Sequence, residues 1–124
     1  MVAEQTRVLV VEDDQHIAVA LVDTLLDEGY DVQSAPNGRA GLALLDRWTP
    51  HVIILDLMMP VMDGRAFRAA QRRLAPSLAR LPVIVLSGAR DARARAEEFG
   101  AAAAIAKPFD LDEVVRTVAR VCRG

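Results

Sequence analysis

The chain has 124 residues, 52% hydrophobic and 26% charged, with a net charge of −2. That length suits one domain with a single sizeable core, and the near-neutral balance points away from nucleic acid and from a charged membrane surface. No apolar run approaches the roughly 20 residues of a membrane span, the N-terminus MVAEQTR lacks a signal-peptide core, and the single cysteine, Cys122, excludes an internal disulfide and fits a reducing cytoplasm.

Strand-like and helix-like runs alternate along the whole chain. The first strand is expected over 7–11 (RVLVV), followed by a helix over about 15–28 whose apolar stripe is Ile17, Leu21, Val22 and Leu25. Asp13 and Asp14 stand at its start, where acidic side chains suit the helix dipole, and Gly29 is a plausible stop. The second strand, DVQSA at 31–35, is short and partly polar, as an edge strand is. The PNG turn at 36–38 leads into a helix over about 39–47, with Leu42 and Leu45 facing inward and Trp48 closing it against the sheet edge. The third strand, 52–56, is VIILD. The third helix begins near Gly64, after MPVMDG, and runs to about Leu74. Pro76 and Pro82 bracket an irregular link into a fourth strand at 83–87. A fourth helix, Ala- and Arg-rich, covers about 90–99 and ends at Gly100. The fifth strand spans 102–106. The last helix spans 111–122, with Asp110 as N-cap and Leu111, Val114, Val115, Val118 and Cys122 on its apolar stripe. Five strands so apolar, each followed by a helix, imply an α/β fold: a parallel sheet with helices on both faces. The expectation is one domain over residues 1–124.

Polar residues close four of these strands: Glu12-Asp13, Asp56, Ser87 and Lys107-Pro108. In open parallel sheets ligands bind outside the carboxyl ends of the strands, so these groups are expected to converge. The first loop is acidic, VEDDQ, where a dinucleotide-binding fold has a glycine-rich turn. Carboxylates repel phosphate unless they hold a divalent cation. Magnesium takes oxygen ligands, typically one or two carboxylates with waters and phosphate oxygens. Glu12, Asp13 and Asp56 suit that role, although the acidic pair by itself also reads as helix capping. Beside a metal, Asp56 is a candidate nucleophile, since a carboxylate can accept a phosphoryl group. Ser87 can donate a hydrogen bond to such a group, though Ser87-Gly88 alone is an ordinary turn pair. Lys107 is the one lysine in the chain and sits between an apolar strand and a proline, a poor place for a merely solvated charge. His16 and His51 are not at metal-binding spacing.

The motifs VLVVEDD (8–14), DLMMPVMDG (56–64), VIVLSG (83–88) and AKPFD (106–110), in this order and spacing, resemble the receiver domain of bacterial two-component response regulators over nearly the whole chain. The resemblance implies a flavodoxin-like, doubly wound five-stranded parallel sheet of strand order 2-1-3-4-5 with five helices. It implies Asp56 as phosphoacceptor and Mg2+ held by Asp13 and Asp56. Glu12 assists through water, and the backbone carbonyl of Met58 is a further ligand. It implies that Ser87 and Lys107 hold the phosphoryl group, that Lys107–Pro108 is a cis peptide, and that the donor is a sensor histidine kinase or a histidine phosphotransfer protein. The readout then falls on the face of the fourth helix, fifth strand and fifth helix, toward a downstream effector. In one respect the chain departs from the pattern. The position three before the lysine, usually aromatic, is Ala104, which has no rotamer to switch.

Two other readings of the same residues differ in class. A magnesium-dependent phosphohydrolase with an aspartyl-phosphate intermediate would resemble the haloacid dehalogenase family, which places a second Asp where this chain has Met58. A phosphorylation-independent docking module would keep the fold and is favoured by Ala104, while the full set of acids, serine and lysine opposes it. The expected activity is therefore that of a switch, not of an enzyme acting on a separate substrate.

Overall fold

The computed structural model describes residues 5–57, 63–88 and 92–123. The elements in chain order are β1 (Arg7–Val11), α1 (Gln15–Asp27), β2 (Asp31–Ala35), α2 (Gly38–Leu45), β3 (Val52–Asp56), α3 (Gly64–Arg72), α4 (Pro76–Ala79), β4 (Val83–Ser87), α5 (Ala92–Phe99), β5 (Ala103–Ala106) and α6 (Leu111–Arg123). All pairings are parallel and the order is β2-β1-β3-β4-β5, as the family resemblance implied.

The alternation of side chains along each strand divides the interior into two cores. Leu9, Val11, Ile53, Leu55, Val83 and Val85 face Leu44 and Leu45 of α2, Phe67 of α3 and Phe99 of α5. Val8, Val10, Val52, Ile54, Ile84 and Leu86 face Leu21 and Leu25 of α1 and Val114 and Val118 of α6. Every residue of β3 and β4 is buried, which is why both strands read as unbroken apolar runs rather than alternating ones.

Several expectations need correction. There are six helices among the described residues rather than five. The addition, α4, is a single turn started by Pro76 at its first positions, where a missing N–H costs nothing; four residues are too few to show a helical period. In α2 Leu45 is buried and Leu42, partly buried, packs on the core as expected, but Leu44, not foreseen, is buried as well. Cys122 is exposed rather than part of the core, because the buried side of α6 is Val114, Thr117 and Val118. The helix signals otherwise work as the residues suggest. Asp14, the N-cap of α1, accepts from the amides of His16 (2.9 Å) and Ile17 (3.2 Å). Gly29 follows that helix at φ +94, the left-handed region where glycine has no Cβ penalty.

Gly64 fixes where α3 begins. Its amide donates to the Leu57 carbonyl at 3.1 Å, and a Cβ built on it would lie 2.8 Å from Leu57 Cα and 2.5 Å from Leu57 Cδ2. The first residue of α3 is therefore pressed against the residue that follows Asp56. Gly64→Ala must move backbone, and we expect it to lower the unfolding free energy by about 1–3 kcal/mol, the usual cost of overpacking. Urea denaturation checks this; an unchanged midpoint would show that the contact is loose.

Candidate functional site

The reversal of strand order on either side of β1 opens a crevice at the carboxyl ends of β1 and β3, the usual ligand position in such sheets. Glu12 and Asp13 follow β1 directly, and Asp56 is the last residue of β3. Each of the three offers a carboxylate oxygen, and these atoms lie within 4.8 Å of one another. Glu12 and Asp56 are each only 2% exposed, whereas Asp13 is exposed. Capping does not account for the acidic pair, because the cap of α1 is Asp14.

Lys107 follows β5 and reaches back over the crevice. Its Nζ lies 3.2 Å from Asp56 Oδ2 and 3.5 Å from Glu12 Oε1. Ser87, 4% exposed, ends β4, and its carbonyl accepts from the Lys107 amide at 2.7 Å. That backbone bond keeps the serine and the lysine on adjoining strand ends. The Lys107–Pro108 peptide is cis. Thus Glu12, Asp13, Asp56 and Lys107 form one cluster, with Ser87 beside it. Met58, expected to lend a carbonyl, lies outside the described residues, as do Met59 and Met62. His16 is exposed on α1, and His51 Nδ1 accepts from the Arg7 amide at 2.9 Å, so neither histidine belongs to the cluster.

The electrostatics follow from this crowding. Burial pushes the Glu12 carboxyl up to about 8; the neighbouring Asp56 adds to the rise, while the Asp14 amide, 3.2 Å from Glu12 Oε2, and Lys107 oppose it. Burial works against the Lys107 ammonium, but Asp56 and Glu12 together outweigh it and hold the lysine above its ordinary value. Glu12 Oε1 is buried with no hydrogen-bond partner among the described residues. Its one compensation is the Lys107 ammonium at 3.5 Å, and a hard cation between the three carboxylates is the kind of group that would satisfy it further.

A model of the response regulator receiver domain matches residues 8–119. The chain belongs to that family. Over 120 residues this receiver domain is 36% identical to the DNA-binding dual master transcriptional regulator RpaA of Synechocystis sp., covering 94% of this chain and 49% of that protein. Over 108 residues it is 30% identical to sporulation initiation phosphotransferase F of Bacillus subtilis, covering 87% of this chain and 86% of that one. Among solved structures, the chemotaxis protein CheY4 of Vibrio cholerae superposes with a TM-score of 0.86 at 32% identity, covering 95% of this chain and 99% of that one. The receiver domain spans about half the length of several curated relatives it matches, RpaA among them.

Sequence reasoning missed a second polar system, which runs along α3 toward α5. Arg65, Arg68 and Arg72 recur at helical spacing and all reach α5 or the residue after it. Their spacing was visible, but without the fold an arginine stripe reads as a solvated face.

The Glu12 shift carries a sign. Without metal, the folded chain keeps the Glu12 proton up to about pH 8, whereas an unfolded chain releases it near the ordinary 4.5. The folded state binds more protons between these values, so this group's contribution is most favourable below pH 4.5 and declines as pH rises toward 8. In urea titrations with a chelator present, Glu12→Gln should flatten that decline; an equal slope in both proteins would refute the assignment.

Proposed function

We propose that this receiver domain is a phosphoaspartate switch of a two-component phosphorelay, with Asp56 as acceptor. The observation that carries the reading is the cluster itself: a buried carboxylate at the end of β3, two further carboxylates within 4.8 Å, and an ammonium 3.2 Å from the acceptor. A carboxylate oxygen of Asp56 forms the new O–P bond as the N–P bond of a phosphohistidine breaks, and the released imidazole takes up a proton. The donor is a sensor histidine kinase or a histidine phosphotransfer protein. Lys107 places its charge where the phosphoryl oxygens arrive, and the Ser87 hydroxyl donates to one of them. Glu12, Asp13 and Asp56 would hold magnesium, with the Met58 carbonyl as a further ligand on the family resemblance. Bound there, the ion supplies charge neutralisation at the transferring group. The three converging carboxylates, with a buried Glu12 oxygen that makes no hydrogen bond beside its ion pair to Lys107, support that fit.

On this reading the domain assists its own phosphorylation and hydrolysis and is not an enzyme with a separate substrate. Modification shifts the balance between two states of the α5–β5–α6 face toward a downstream effector, and the setting is the cytoplasm. The domain itself binds no nucleic acid. No helix among the described residues is long and apolar enough to cross a membrane.

Incubation with a phosphorylated histidine phosphotransfer protein and magnesium should label the chain. Asp56→Asn should abolish the label, Lys107→Ala should slow its appearance by about 10²–10³-fold, and EDTA should stop it. Persistent labelling of Asp56→Asn would end the proposal. Magnesium binding to the deprotonated set must also displace the Glu12 proton, so its affinity should rise with pH up to about 8; calorimetry in buffers of different ionisation enthalpy measures the released proton.

A further inference from the structure

α5 is weakly held by apolar contacts. Its sequence is ARARAEEF, and Phe99 is its one buried residue. Around Phe99 the partly buried residues of α5 and of the segment that follows it are small: Ala96, Ala101 and Ala104 pack on the same core. An alanine has no rotamer through which a neighbouring strand can move a helix. The side-chain hydrogen bonds to the end of α5 come from α3. Arg68 Nε donates to the Phe99 carbonyl at 2.8 Å and its Nη2 to the Gly100 carbonyl at 2.9 Å. Arg72 Nη2 donates to the Phe99 carbonyl at 3.0 Å. Two guanidinium groups thus cover carbonyls at the C-terminal end of α5, where the helix dipole favours cations. Gly100, at φ +61, leaves them room, since a Cβ there would lie 2.7 Å from Arg72 Nη2. Nearer the site, Arg65 pairs with Glu98 at 2.9 Å and sits 5.0 Å from the centroid of the Phe99 ring.

The clamp is itself braced. Arg68 Nη1 donates to Gln71 Oε1 at 2.7 Å, and Gln71, fully buried, donates from Nε2 to the carbonyls of Leu78 (2.9 Å) and Leu81 (3.3 Å). Those carbonyls belong to the link that enters β4. At its other end α3 starts at Gly64, pressed against Leu57, the residue after Asp56.

We propose that Arg68 and Arg72 form a clamp that joins α5 to α3 and transmits to α5 the state of the acceptor end of β3. The proposal rests on the phosphoacceptor reading for the signal and on geometry alone for the clamp. Arg68 and Arg72 are positioning residues that touch neither Asp56 nor Lys107. A lysine cannot replace Arg68, because a point charge on a flexible stem does not serve three acceptors in a fixed fork.

The test compares wild type, the double variant Arg68→Gln/Arg72→Gln, Arg68→Lys, and the exposed control Arg73→Gln, each checked for cooperative unfolding. Amide exchange over 92–99 should accelerate by about tenfold or more in the double variant, less in Arg68→Lys, and not in the control. With magnesium and beryllofluoride as the phosphoryl mimic, wild type should show NMR shifts at Asp56 and Ser87 that extend into 92–100. The double variant should keep the shifts at Asp56 and Ser87 and lose at least about half of those in α5. Equal α5 shifts in both proteins overturn the proposal, as does unchanged exchange over 92–99. Silence at Asp56 and Ser87 in wild type would instead sink the acceptor reading and with it the transmitted signal; the clamp would then stand or fall on the exchange of the unliganded proteins. Should the double variant fail to fold, Arg68→Lys carries the same comparisons with smaller effects, and a wild-type response from it overturns the proposal.

Discussion

Two carboxylates buried at adjoining strand ends would repel each other and resist leaving water, and the Lys107 ammonium is what makes their coexistence tolerable. It stands 3.2 Å from Asp56 and 3.5 Å from Glu12. Removing one partner from such a group costs more than the pair itself stabilises, so the arrangement depends on the lysine staying charged. The two carboxylates secure that by raising its pKa. The proton on Glu12 completes the balance in the absence of metal. The cluster is thus a charge set that is incomplete by itself, and the parallel sheet brings its members together from strand ends far apart in sequence.

The fold was largely legible in the residues because β3 and β4 are buried on both sides and leave unbroken Val, Ile and Leu runs. The site was legible because its members all stand at strand ends, a placement that fully parallel topology turns into proximity. Asp13 and Asp14 are equally good caps by residue type; the resemblance gives Asp13 to the metal, and the structure makes Asp14 the cap. The strand order could not be read from the residues and came through resemblance. α4 was missed because one turn has no periodicity, and Cys122 was misplaced because the buried stripe of α6 is narrower than its apolar sequence. Gln71 and the arginines of α3 were invisible for another reason. Most of their partners are backbone carbonyls, which every residue possesses and no sequence marks.

The two cores assign different tasks to the two faces. α1 and α6 cover theirs with Leu21, Leu25, Val114 and Val118, all but fully buried. α5 contributes Phe99 and little else, and its polar ties to α3 substitute for the missing apolar area. Local stability varies across a structure with such contacts, and mobile elements come from the weakly packed end. A helix fastened by hydrogen bonds rather than by a deep apolar seat can reseat without opening the core beneath it.

The contact between Gly64 and Leu57 gives α3 the mechanics of a lever with its fulcrum beside Asp56. At 1.5 Å of rise per residue, Arg72 lies roughly 12 Å along the axis from that fulcrum. A tilt of about 5° would carry its end by about 1 Å, more than the spread that hydrogen bonds to a carbonyl tolerate. A displacement too small to notice at Asp56 would therefore be enough to re-aim a guanidinium at the far end of the helix.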